Sequence, residues 1–193
     1  MLYLNQLKYR HIKYYHNAAH GGPIEGRDNV ATSGCGLCSL CMIVDHLTMD
    51  NLDIEECVRL SEESGANHSF GTDIKILGPI IAERFGLDMD TTTDKNVLVA
   101  HLQNGGEAIA HVSNKGEGVP GLFTMRAHYI TLISVKNEDV CILDPSFKDD
   151  KFDTDDRRDK VRIEAPFVYC SVDTLLNEIK GKGFYLFKRK TDF

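Results

Sequence analysis

The sequence predicts an α+β domain in which a helical N-terminal half packs on a C-terminal antiparallel sheet. As far as residue 105 the apolar positions recur at helical spacing, and from Glu107 onward they fall in short β-branched runs separated by turn formers. Length supports the same reading. With 193 residues, 42% hydrophobic and 26% charged, and no linker-like or repetitive stretch, the chain suits one domain spanning 1–193.

The elements follow in order. "GLCSLCMIVDHLT" sets Leu37, Leu40, Cys41, Val44 and Leu47 on one stripe, so a buried helix begins immediately after Cys35. In "LDIEECVRLSEES" an acidic start precedes Ile54, Cys57, Val58 and Ser61 on one face, with Gly65 as the stop. "GTDIKILGPIIAERFGL" offers Thr72 as N-cap, an apolar face of Ile74, Leu77, Ile81 and Phe85, and Gly86 at its end; Pro79 is expected to kink or break it. A shorter helix runs from Thr93 or Asp94 to Gly105. "EAIAHVS", "AHYITLISV" and "DVCILDP" then read as strands, the last two joined by a short turn, followed by a helix capped by Ser171 and a closing strand "GFYLFKRK".

Composition narrows the function. A net charge of −7 argues against general nucleic-acid binding, which draws on clustered Lys and Arg. The run "KDDKFDTDDRR" (148–158) is mixed in sign, lacks the Gly and terminal Glu of a calcium loop, and reads as a solvated loop. Lys8, Arg10, His11 and Lys13 interrupt the N-terminus, so no signal peptide is expected there, and no stretch is long enough to span a membrane. A cytoplasmic location with six reduced cysteines is the expectation.

"SGCGLCSLC" (33–41) carries the chemistry. Cys35, Cys38 and Cys41 match three ligands of a ferredoxin-type spacing, but Asp45 stands where the fourth should be, and helical positions i, i+3 and i+6 drift around the axis. A metal or cluster is therefore not expected. Cys38 and Cys41 read as small buried thiols. Cys35, between Gly34 and Gly36 at a helix start, would feel the positive end of the helix dipole, which favours the nucleophilic thiolate, and the N–H groups there could hold an oxyanion.

Such a thiol needs a base. His128 opens one strand of an expected hairpin and Asp144 ends the other, which makes them neighbours, with the carboxylate able to fix the imidazole tautomer. "GEGVPG" (116–121) matches a dinucleotide fingerprint only formally, since no helix follows; a mobile loop is the better reading. His101 and His111 read as structural or surface residues, whereas the segment with His16 and His20 could approach the site.

"SGCG" opening an apolar helix, "HYITLISVKNEDVCILDPS" and the closing "GFYLFKRK" together resemble the papain-like cysteine peptidases, closest to the bacterial family related to double-glycine leader peptidases of bacteriocin export. The resemblance spans roughly residues 12 to 190. It implies the papain-like fold, with Cys35 as nucleophile, His128 as base and Asp144 as orienting acid. It also implies an upstream side-chain amide at the oxyanion hole, for which Asn17 in "YYHN" is the candidate and Gln6 the alternative. The implied activity is hydrolysis of a peptide or related amide bond. Acyl transfer from the same cysteine, or a silent peptide-binding module, are the alternatives.

Overall fold

The computed structural model describes residues 1–22 and 24–191. The chain divides into two compact units, Met1–Met89 with the chain from Phe187 onward, and Asp90–Leu186.

The first unit is helical. A short helix α1 (Val30–Ser33) meets α2 (Cys35–Leu47) at Gly34, which ends one and opens the other. Every residue of α2 from Gly36 to Val44 is buried, the mark of a central helix rather than a one-sided one. α3 (Ile54–Glu63) packs on α2, with Glu55 and Glu56 in its first turn favoured by the helix dipole. A two-stranded hairpin, β1 (Asn67–His68) and β2 (Gly71–Thr72), leads into α4 (Ile74–Arg84). The cap of α4 is Asp73, whose side chain accepts from the Lys75 N–H, and not Thr72, whose hydroxyl lies 2.9 Å from the buried Tyr14 hydroxyl. Pro79 does not break the helix. Pro79 and Lys75, whose carbonyl loses its helical partner, are both on the exposed side, where water can take the bond.

β3 (Leu87–Thr92) carries the chain from one unit to the next. The second unit contains α5 (Lys95–Gln103), β4 (Glu107–Ser113), β5 (Ala127–Lys136), β6 (Asp139–Leu143), β7 (Arg162–Glu164), β8 (Phe167–Ser171) and α6 (Val172–Ile179), capped by Ser171, and β9 (Phe184–Arg189) follows. The sheet order is β3-β9-β4-β5-β6-β8-β7, and the β4–β5, β5–β6, β6–β8 and β7–β8 pairs are antiparallel. The expected α+β class holds. α5 and α6 pack against the middle of the sheet, so β4 and the centre of β5 are buried almost throughout. The β5–β6 hairpin turns at Asn137 (φ 51°) and Glu138 (φ 67°), the left-handed pair that suits the sheet's twist.

Candidate functional site

Cys35 is the first residue of α2 and the one cysteine of the six that is not buried. The junction before it is tight. A Cβ on Gly34 would come 2.5 Å from Cγ1 and 2.6 Å from the carbonyl oxygen of Val30, so only glycine lets α1 and α2 meet there. Burial, followed by neighbouring thiols, holds Cys38 and Cys41 well above the ordinary thiol range, which fits packing and not chemistry. No group of three or more metal-ligating side chains gathers among the described residues.

Among the carboxamides of the same unit, Asn17, Gln6 and Asn29 bear on the oxyanion donor. The Asn17 Oδ1 accepts from the Ala19 N–H at 2.9 Å, which fixes the carboxamide with Nδ2 as its donor end. The buried Gln6 spends its Nε2 on the Ala31 carbonyl of α1 at 2.9 Å. Asn29 is a third carboxamide, which no sequence motif singles out. It stands at the start of α1, buried, with Nδ2 donating to Asp28 at 3.0 Å and Oδ1 unpartnered among the described residues. The neighbouring "DN" before an apolar run looks like an ordinary helix cap, which hides it. His16 is also buried, its Nε2 3.2 Å from the hydroxyl of Ser33, two residues before Cys35; burial lowers its pKa and favours a neutral ring. His20 stacks on His68 at 4.0 Å.

His128 and Asp144 belong to the second unit, and the hairpin brings them together as expected. β5 and β6 align Thr131 with Leu143, and the chain curls at Asp144 in an Asx turn, Ser146 N–H donating to Oδ1 at 2.8 Å. The His128 Nε2 is then 2.8 Å from Asp144 Oδ1, both side chains buried.

The charged run after β6 departs from expectation. Lys151 turns inward and its ammonium contacts Asp144 Oδ2 and, at 2.7 Å, the Ser146 hydroxyl, which itself lies 3.1 Å from the His128 Nε2. Burial alone would raise the pKa of Asp144. The Lys151 charge first, then that of His128, outweighs burial and holds the carboxyl well below the usual carboxylate range. In the loop at 114–124, Leu122 and Phe123 are buried and the Leu122 N–H donates to the buried Glu178 of α6 at 2.6 Å.

No protein-family model matches the sequence, and no curated protein sequence matches it. Solved structures do. The peptidase domain of Streptococcus ComA, described as a bi-functional ABC transporter involved in a quorum-sensing pathway, is 19% identical with a TM-score of 0.52, over 93% of this chain and 100% of that one. A protein described as a C39-like peptidase from Bacillus anthracis is 13% identical with a TM-score of 0.55, over 94% and 96%. The chain has the fold of the C39 peptidase domains. Identity this low speaks for the papain-like fold alone.

Proposed function

We propose that the chain is a cysteine peptidase, or a related amidohydrolase, working through a covalent acyl-enzyme. Cys35 attacks the carbonyl carbon, and His128 takes the thiol proton and delivers it to the leaving amine. Asp144 orients His128, while the Cys35 N–H and the Asn17 side-chain amide hold the oxyanion. Water then attacks the thioester, passing a proton through His128 and releasing the thiol. The observation that carries this reading is the buried 2.8 Å bond between His128 and Asp144. With the Nε2 proton given to the carboxylate, Nδ1 becomes the basic nitrogen that exchanges a proton with a thiol. The fold and the placement of a half-buried cysteine at a helix start add support.

The chemistry requires no metal or organic cofactor. The substrate class is a peptide, cut after small residues such as glycine, a preference that rests on the resemblance to leader peptidases. Both units act as one peptidase domain in a reducing, cytoplasmic setting. The test is to incubate wild type and Cys35→Ala with peptides containing paired glycines and to follow products by mass spectrometry, with and without hydroxylamine. Cleavage by wild type alone supports the reading, a hydroxamate product traps the acyl-enzyme that hydrolysis and acyl transfer share, and hydroxamate outcompeting the free acid at low hydroxylamine favours acyl transfer. If neither product forms and no thioester accumulates, the silent peptide-binding reading replaces it.

A further inference from the structure

We propose that Lys151 is a positioning residue: by pairing with the far oxygen of Asp144 it cancels the carboxylate's charge, so that Asp144 orients His128 without making it strongly basic. This rests on the reading of His128 as the base.

The geometry is specific. The two oxygens of Asp144 are divided, Oδ1 to His128 and Oδ2 to Lys151, and the Ser146 hydroxyl bridges imidazole, carboxylate and ammonium. The Lys151 side chain is only 10% exposed and Asp144 not at all, so this is not a surface ion pair weakened by solvent. The lysine is also held from behind. Arg157 donates to the Lys151 carbonyl at 3.0 Å and to the Gly121 carbonyl at 3.2 Å. The adjacent Phe152 is buried against Phe123 and Phe147, and the ammonium lies 5.8 Å from the Phe152 ring centroid.

An isolated carboxylate beside an imidazole stabilises the imidazolium and raises its proton affinity. A carboxylate already paired with an ammonium has no net charge to contribute, and keeps only its hydrogen bond, acting as a carboxamide would. Charged groups facing His128 within its own unit include Asp144 and Lys151, with the Ser146 hydroxyl between them. From β4 its register partner is the apolar Val112, and the neighbouring His111 lies against Tyr129, with Lys182 at 3.5 Å.

The test is an NMR titration of the His128 ring in the full chain, in wild type, Lys151→Met, Lys151→Arg and the double variant Asp144→Asn/Lys151→Met. Lys151→Met is expected to raise the His128 pKa by about one unit or more, with Lys151→Arg close to wild type. The double variant buries no unpaired charge, and so reads out even if Lys151→Met fails to fold; it is expected to titrate within about half a unit of wild type. An unchanged His128 pKa in Lys151→Met, or a double variant falling well below wild type, overturns the proposal, since either result means that Lys151 does not neutralise Asp144. Iodoacetamide labelling of Cys35 in His128→Ala separates the two ideas. If His128 titrates as described but Cys35 labels identically without it, the role of Lys151 stands and the peptidase reading fails.

Discussion

Burial acts in the same sense at the start of α2 and at the end of the β5–β6 hairpin, yet the enclosed groups end in different charge states. On α2, Cys38 and Cys41 are enclosed, and burial pushes both thiols toward the neutral, inert form. At the hairpin, Asp144 is just as deeply enclosed, yet Lys151 and His128 hold it ionised. Partners decide the charge state, and depth alone does not. On the proposed reading the contrast also separates two ways to build a reactive group: Cys35 would rely on backbone, namely a helix start and a glycine junction, and His128 on a chain of side chains.

The largest effect should come from Cys35→Ala, which lowers kcat/KM for a cleaved peptide by on the order of 10⁴-fold or more while leaving stability nearly unchanged. Comparable loss in Cys38→Ala or Cys41→Ala would erase the distinction between the reactive thiol and the packing ones. Next is Asp144→Ala, which strands a buried lysine. Urea unfolding should show a loss of about 3–5 kcal/mol, and adding Lys151→Met should recover part of it. Failure to recover would mean that the ion pair is not the source of the cost.

The sign of the pH dependence follows from the same pair. The folded-state pKa of Asp144 lies below its ordinary 3.8, so its contribution is complete above that value and is lost only as pH falls through the lower, folded value. Urea midpoints of wild type should therefore keep this contribution near pH 4, and the difference from Asp144→Asn should shrink only in stronger acid. Asn17→Ala should lower kcat by roughly 10²–10³-fold with little change in KM. An unaffected Asn17→Ala beside an impaired Asn29→Ala would move the oxyanion donor to the start of α1. Gly34→Ala should be the mildest, costing about 1–3 kcal/mol in thermal or urea unfolding as the α1–α2 junction opens, and slowing Cys35 alkylation.

Much of this was legible in the chain. A β-branched run, a short turn and a second run fix an antiparallel register, so the adjacency of His128 and Asp144 follows from local pattern alone. The placement of Cys35 follows from helical periodicity. Lys151 was not legible, because its partner is chosen by how a charged loop folds back. The one clue in "KDDKFDTDDRR" was its single aromatic: Phe152 must find an apolar neighbour, and burying it carries Lys151 inward. β3 and β7 escaped notice because both are edge strands with little buried surface: β3 buries only Leu87, and β7 is exposed at all three residues. Pro79 misled because the rule against proline in helices supposes a carbonyl that water cannot reach, and here it is on the wet side.

The central claim, that Cys35 is a nucleophile activated by His128, is tested most directly by the pH dependence of iodoacetamide labelling at each cysteine in wild type and His128→Ala. The account expects Cys35 to label selectively well below an ordinary thiol pKa of about 8.5, and to lose that reactivity in the variant. Labelling of Cys35 at an ordinary thiol pKa, unchanged by loss of His128, would contradict it.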